Sequence, residues 1–296
     1  MKVLNFGSLN IDYVYRVDSF VQPGQTKAVE SLSVNCGGKG LNQSVALARA
    51  GVETWHAGFV GPEGKFLVEK LAQSGVHTEF VGTAEESTGH AVIQVSDAGQ
   101  NCILIYPGTN GILTTDYIEE VLSYFVPGDL VLVQNETNLV GEIIRRAKAR
   151  GLSVAFNAAP MDGRVLDYPL EQVDWLFVNE TEGAALTGET DYPAIAAALA
   201  RRWPDTQSVL TLGAEGCIWT GGGRQTLCKA CRVPAVDTTA AGDTFTGFFL
   251  RGVLDPCPPL PPLALATAAS ALAVTRPGAA DSIPTLEEVL ASGLRP

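Results

Sequence analysis

The sequence predicts an α/β fold, a mostly parallel central sheet covered by helices on both faces, with a small separate β-sheet. Three observations lead there. Short apolar runs alternate with stretches of helical periodicity through most of the chain, the pattern of βαβ units. Two segments break the alternation, residues 12–35 and 89–107, where period-two patterns and turn signals follow one another with no helix between. The length of 296 residues suits one large α/β domain with an appendage and a substantial buried core.

Taken in order, Met1 to Gly7 holds an apolar run too short for a signal peptide and predicts the first strand. Asn10 and Asp12 follow it, where an Asx-turn leaving the strand is one reading. The cluster Cys36-Gly37-Gly38-Lys39-Gly40-Leu41-Asn42 opens a helical pattern continued by Val45, Leu47 and Ala48. It matches neither the Walker A order nor G-x-G-x-x-G. Its glycines allow close backbone approach and Lys39 and Asn42 offer donors, which suits a polyhydroxylated ligand; a tight strand-to-helix turn is the alternative.

Further on, His90 to Val95, the turn Asp97-Ala98-Gly99 and Cys102 to Tyr106 predict a hairpin. Leu130 to Val133 predicts a buried strand, Thr137 to Arg150 a helix, and Ser153 to Phe156 the next strand. Gly151 is placed to cap that helix, and Arg145, Arg146, Lys148 and Arg150 stand where its dipole favours cations. Trp175 to Val178, Glu180 to Leu186 and Val209 to Leu212 continue the alternation. The stretch Asp255 to Pro262 predicts a stiff loop between two helices.

Twenty Lys and Arg against 32 Asp and Glu give a net charge of −12, which argues against nucleic acid and anionic membrane as partners. The longest apolar stretch, Leu263 to Val274, is interrupted by Thr267 and Ser270 and is too short to span a bilayer. Six scattered cysteines fit thiols in a reducing compartment, and the expected location is cytoplasmic. Only Cys228 and Cys231 have metal-like spacing, and His56, His77 and His90 lie far upstream of them. Two surface or half-buried strand cysteines are the expectation.

The chemistry concentrates near the C-terminus. Val236-Asp237-Thr238-Thr239-Ala240-Ala241-Gly242-Asp243-Thr244-Phe245 runs small residues into a helix with an acid at the junction. Backbone N–H groups of Ala240, Ala241 and Gly242, with the positive end of the helix, can close on a phosphate oxygen. Asp243 beside them is a candidate general base, and a base with an anion cradle is what phosphoryl transfer requires. An ordinary capped helix is the plainer alternative. Asn179 and Glu182, after an apolar strand, offer oxygens to a hydrated magnesium ion or, equally, form a capping box.

These motifs occur in the order found in the ribokinase or PfkB family of carbohydrate kinases, which the chain resembles over essentially its whole length. The resemblance rests on Gly37-Gly38-Lys39-Gly40 with Asn42, on Asp237 to Phe245, and on Asn10-Ile11-Asp12, Ser87-Thr88-Gly89, Gln134-Asn135-Glu136, Asn179 to Glu182, Thr211-Leu212-Gly213 and Thr275 to Ala279. It implies a ribokinase-like fold with a large domain of residues 1–11, 36–88 and 108–296, and a discontinuous β lid of 12–35 and 89–107 over a sugar site. Asp243 would be the catalytic base, with Ala240, Ala241 and Gly242 as anion cradle. Asn10, Asp12, Gly38, Lys39, Asn42 and Glu136 would bind the sugar. Asn179, Glu182, Thr211, Gly213, Gly216, Gly242 and Thr267 would contact ATP, with Mg2+ held through water by Glu182. K+ would sit among Asp237, Thr239, Ala273, Arg276, Gly278 and Ser282. A homodimer through the lids is also implied, because a small sheet has one face uncovered unless something packs there.

The resemblance implies phosphorylation of the primary hydroxyl of a pentose, D-ribose first. The same chemistry on a fructose-like ketose or a nucleoside is the alternative. A nucleoside kinase should offer broad apolar surface for a base, and the lid segments supply Tyr13, Tyr15, Phe20 and Tyr106. A silent sugar sensor has no need of Asp243. Three departures from the family pattern stand out: Asn157-Ala158-Ala159-Pro160, Thr267 near the adenine, and Thr109. Thr109 lies near the lid, where one altered contact can redirect selectivity among similar polyols.

Overall fold

The computed structural model describes residues 1–296. Thirteen strands run in chain order: β1 Val3–Phe6, β2 Asn10–Val17, β3 Ser31–Gly37, β4 Thr54–Val60, β5 His77–Thr83, β6 Gly89–Ser96, β7 Asn101–Tyr106, β8 Leu130–Gln134, β9 Ser153–Asn157, β10 Trp175–Asn179, β11 Gln207–Thr211, β12 Cys217–Gly221 and β13 Arg224–Cys228. The helices are α1 Lys39–Arg49, α2 Lys65–Gln73, α3 Thr115–Leu122, α4 Val140–Ala149, α5 Glu180–Thr187, α6 Tyr192–Arg202, α7 Ala241–Leu254, α8 Pro262–Ala273 and α9 Leu286–Ala291.

The main sheet has nine strands in the order β13-β12-β11-β10-β9-β8-β1-β4-β5. All neighbours from β5 to β11 are parallel, and β12 and β13 add an antiparallel hairpin at one edge. Strand alternation explains why both faces are covered. Leu130 and Leu132 feed one core with α1, α2, α7, α8 and α9, while Val131 and Val133 feed the other with α3, α4, α5 and α6. The edge hairpin was not part of the expected alternation, although Gly221, Gly222 and Gly223 mark its turn.

A second sheet of four strands, β3-β2-β6-β7, stands apart. Within it β2 pairs antiparallel with β3 and parallel with β6, and β6 pairs antiparallel with β7. Its outer strands leave Leu32, Val34, Leu104 and Ile105 about half exposed or more, between 51% and 68%.

Three expectations need correction. Asn10 and Asp12 are not in a turn after β1; they lie within β2, paired with Gly37 and Asn35. The ladder satisfies the backbone that an Asx-turn would otherwise serve. Helix α4 starts at Val140, because Asn138 spends its amide on both Leu113 backbone groups and Leu139 takes a left-handed φ of 57°. Its basic residues are accounted for locally: Arg146 and Arg150 pair with Glu119, and Lys148 with Asp174. Cys228 closes β13 half-buried, but Cys231 lies beyond the strand and is buried in the core. No helix is long and apolar enough to cross a membrane.

Candidate active site

The parallel strands end, at their carboxyl edge, in polar residues. Gly7 and Ser8 follow β1, Asn135 and Glu136 follow β8, and β9, β10 and β11 close on Asn157, Asn179 and Thr211. Register aligns them: Gln134 faces Asn157, and Asn179 faces Thr211. That edge is where open α/β sheets bind ligands. A cleft of about 230 Å³ lies there, lined among others by Lys39, Asn157, Asn179, Glu182, Thr211, Ala240, Ala241, Gly242 and Asp243.

Asp243 is the third residue of α7 and is buried. Asn42 donates to its Oδ2 at 3.0 Å and Gln43 to its Oδ1 at 2.9 Å, both from α1. Ala240, before the helix, holds a left-handed φ of 59°, which costs a non-glycine residue about 1–2 kcal/mol. This strain turns the chain so that the N–H groups of Gly242 and Asp243 find no protein acceptor. The predicted cradle is thus shifted by one residue at one point: the Ala241 N–H is donated to Thr238 O at 3.2 Å, closing the turn. Ser270 of α8 donates to Ala241 O at 3.0 Å and fixes the loop from behind.

The α1 end is built from close packing. Gly38 has φ of 95°, and a Cβ on Gly40 would lie 2.2 Å from Ser8 N. A Cβ on Gly37 would lie 2.1 Å from the Asp12 carboxylate. The glycines therefore let protein meet protein, where the sequence suggested room for a ligand. Glu136 is held by the Lys39 N–H at 2.9 Å and by the Ser8 hydroxyl. Asn10 accepts from Asn110 at 2.7 Å, which leaves its own amide nitrogen as a donor. Asn42 Oδ1 is buried with no protein partner, an acceptor suited to a hydroxyl donor.

Electrostatics follow from the burial of these groups. Burial pushes the Asp12 carboxyl up to about 7, with Glu136 adding to the rise. Burial likewise holds Glu136 and Glu182 above the ordinary carboxylate range, against the pull of Lys39. Although burial opposes its charge, Lys39 is raised, because Asp243, Glu136 and Glu182 surround it. It is the cation that ties the two halves of the site together.

Other predicted positions fare unevenly. Asn179 and Glu182 form a complete capping box, Glu182 N to Asn179 Oδ1 at 2.9 Å and Asn179 N to Glu182 Oε2 at 2.9 Å. The capping alternative is therefore present, on residues that also line the cleft. Gly213, Gly216 and Thr267 do not line it. A Cβ on Gly216 would lie 2.0 Å from Cys228 O, which accounts for the glycine structurally, and Thr267 is buried between the Cys217 and Cys228 sulfurs. Asp237 accepts from the Thr239 hydroxyl at 2.6 Å and from Thr239 N and Gly278 N, each at 2.9 Å, and although burial opposes it, these bonds hold its carboxyl below the ordinary value. The Ser282 hydroxyl is spent on Ala279 O, and Ala273 O accepts from Arg276 N. Thr109 is fully buried and donates to Phe59 O at 2.9 Å, so its departure from the family pattern is answered inside the protein.

The sequence reading missed Ser8, Gln43 and Asn110. A signal existed for Gln43: Asn42, Gln43 and Ser44 are consecutive polar residues inside an otherwise apolar helix, and all three are buried.

A buried carboxylate clamped beside unpartnered N–H groups at the end of a parallel sheet is an arrangement suited to phosphoryl transfer. The model of the pfkB family of carbohydrate kinases matches residues 1–286, and the chain belongs to that family. It is 36% identical over 294 residues to a ribokinase of Haemophilus influenzae, covering 96% of this chain and 95% of that protein. Among solved structures, a ribokinase of Thermotoga maritima superposes with a TM-score of 0.87 at 32% identity, covering 98% of each chain. A ribokinase of Arabidopsis thaliana, solved in complex with ribose and ATP, superposes at 0.85 with 29% identity, covering 98% of this chain and 97% of that one.

Proposed function

We propose that the protein transfers the γ-phosphoryl group of ATP to the primary hydroxyl of a pentose, with D-ribose as substrate. The observation that carries this reading is the juxtaposition at α7: Asp243, clamped on both oxygens, stands beside N–H groups left open to an anion. In the reaction the sugar hydroxyl oxygen attacks the γ-phosphorus, Asp243 takes the hydroxyl proton, and ADP departs. The free N–H groups and the α7 dipole receive the charge that develops on the transferring group. Lys39 adds its ammonium from the α1 side.

Asn10, Asp12, Gly38, Asn42 and Glu136 form the sugar pocket in this reading, Asp12 accepting hydroxyl protons and the Asn10 amide donating. Thr211, in the cleft lining, would contact the nucleotide, and Gly213, Gly216 and Thr267 would meet it only beyond that lining. The cleft fits Mg2+, since the Glu182 oxygens each accept one hydrogen bond and keep a further lone pair for a water of the ion. When bound, the metal neutralises charge on the phosphates. K+ would be held by Asp237 and neighbouring carbonyls, including those of Thr239, Ala273, Arg276 and Gly278, with Ser282 nearby; it would steady the Thr238–Ala241 turn. The small sheet serves as lid over the sugar, and its exposed apolar strands support a homodimer in which two lids clasp. The cytoplasm is the location proposed.

The test is turnover of ATP with a panel of pentoses, fructose and nucleosides, run in potassium and again in lithium. D-ribose should give the highest kcat/KM, and potassium the higher rate. A better rate on fructose or a nucleoside would reassign the substrate, no turnover would favour a sensor, and equal rates in both salts would remove the cation site. Sedimentation of Leu104→Asp checks the lid contact: a dimer unchanged by that charge rules it out.

A further inference from the structure

We infer that Gln43 is a positioning residue for the phosphoryl-transfer reaction, one that fixes the Asp243 carboxylate through a buried chain of hydrogen bonds that admits one orientation of its amide. The inference rests on Asp243 being the base. Gln43 does not itself line the cleft and is fully buried. Its only donated bond to a side chain is the one to Asp243 Oδ1, at 2.9 Å.

The direction of that bond is set far from the site. The chain starts at Gly7 O, which can only accept, so His56 Nε2, at 3.1 Å, must carry a proton. His56 is fully buried and burial pushes its pKa down to about 4, so the ring is neutral and Nδ1 is an acceptor. The Ser44 hydroxyl, at 2.8 Å, must then donate to Nδ1. Asn5 Nδ2 fills the Ser44 oxygen at 2.8 Å and reaches Gly40 O at 2.8 Å, which turns Asn5 Oδ1 toward Gln134. Gln134 Nε2 donates to Asn5 Oδ1 at 3.0 Å and to Gln43 Oε1 at 2.8 Å. Only one end of the Gln43 amide remains, and it is the nitrogen.

A reversed amide would set nitrogen against nitrogen at Gln134 and oxygen against oxygen at Asp243, so the chain excludes it. Each bond is buried, where a mispaired donor or acceptor costs most. The second carboxylate oxygen is held by Asn42, which belongs to the predicted sugar pocket; Gln43 answers only to the protein. The base is thereby oriented before any sugar arrives. Orientation matters because displacement of a reacting group by an ångström can cost on the order of 100-fold in rate.

The experiment compares kcat and KM for D-ribose and ATP in the parent, Gln43→Met, Asp243→Asn and the double variant, with thermal melts of each. Met keeps the length of Gln and removes the donor. A positioning role predicts that Gln43→Met lowers kcat by about 10- to 100-fold, leaves both KM values within about twofold, and adds less than about twofold to the loss already caused by Asp243→Asn. Parental kcat in Gln43→Met, or a full further loss in the double variant, would overturn the inference while leaving the base in place. Parental turnover by Asp243→Asn would overturn the base assignment and the inference with it. If Gln43→Met does not fold, Gln43→Glu decides: it sets a second carboxylate against Asp243 and should depress kcat further, and kcat within about twofold of the parent would refute the positioning role.

Discussion

At the start of α1 each early N–H has a protein acceptor: Lys39 N reaches Glu136, Gly40 N reaches Ser8 Oγ, and Leu41 N and Asn42 N reach Ser8 O and Gly38 O. At the start of α7 the N–H groups of Gly242 and Asp243 have none. The two helix ends meet at one carboxylate, yet one is closed by the protein and the other is left open. The glycines differ in the same sense. A Cβ on Gly40 would strike Ser8 N at 2.2 Å, whereas one on Gly242 would meet nothing within 4 Å. A glycine-rich helix start is thus two different devices. In α1 it lets the β1 loop and the helix close on each other; in α7 it leaves backbone N–H groups and the space before them bare, as the proposed anion site requires.

The comparison is broken most directly at the point where the ends meet. Asp243→Asn removes the proposed base and turns one acceptor into a donor facing Asn42 or Gln43. If α7 supplies the reacting group, kcat should fall by about 10² to 10⁴ while sugar and ATP still bind. A melt should show a modest loss, since one buried donor is left unpartnered at about 1–3 kcal/mol. A folded variant that binds both substrates and keeps its rate within threefold would remove Asp243 from the chemistry, far short of the loss expected for a missing base.

Much of this was legible in the sequence, and the division follows physics. The α7 motif could be read because the proposed anion site is made from local residues: Ala240 to Asp243 supply the turn, the N–H groups and the acid in four consecutive positions. The parallel sheet could be read because each strand is a short apolar run. The α1 side was legible only in part. Its partners Ser8, Asn110 and Glu136 are brought in across separations of 32, 101 and 97 residues in the bonds Gly40 to Ser8, Leu9 to Asn110 and Lys39 to Glu136, and no spacing rule reports them. Gln43 was missed although the polar run Asn42 to Ser44 marked it, because its partners Gln134 and Asp243 lie 91 and 200 residues away. Periodicity assigns a polar helix residue to solvent, and only the packing of α7 against α1 buries it.

The glycine contrast is sharpened by a matched pair. Gly40→Ala forces a methyl into the β1 loop backbone, an overpacking that should cost about 1–3 kcal/mol or more and lower Tm, with activity falling alongside stability. Gly242→Ala should leave the melt unchanged, within about 0.5 kcal/mol, because the methyl meets no protein atom. Its effect should appear in kcat/KM for ATP, at least about tenfold, as the methyl crowds the space kept for phosphate. Should Gly242→Ala melt early, or Gly40→Ala keep its Tm, the division between a closed and an open helix end would not hold.

The smallest expected effect concerns a buried carboxylate packed against the strand that leads into α1. Asp12 packs its carboxylate against Gly37, and burial, with Glu136, raises its pKa from 3.8 to about 7 in the folded protein. The folded chain therefore holds a proton that the unfolded chain releases across that window. Its stabilising contribution is complete below the unfolded value of 3.8 and is lost as pH rises through about 7. The ligand-free protein should lose stability between those limits, with Glu136 and Glu182, raised in the same direction, adding to the slope. Asp12→Asn cannot titrate there and should melt higher than the parent near pH 8, by a few degrees, with a flatter profile at lower pH. Sugar binding should respond in the opposite sense. An ionised Asp12 accepts hydroxyl protons, so affinity for the pentose should weaken below pH 7 in the parent and be poor at every pH in Asp12→Asn. Melts across pH with and without sugar separate the two effects, and parallel curves for parent and variant would mean that Asp12 is ionised in the free pocket and that the α1 wall holds no proton for the sugar to displace.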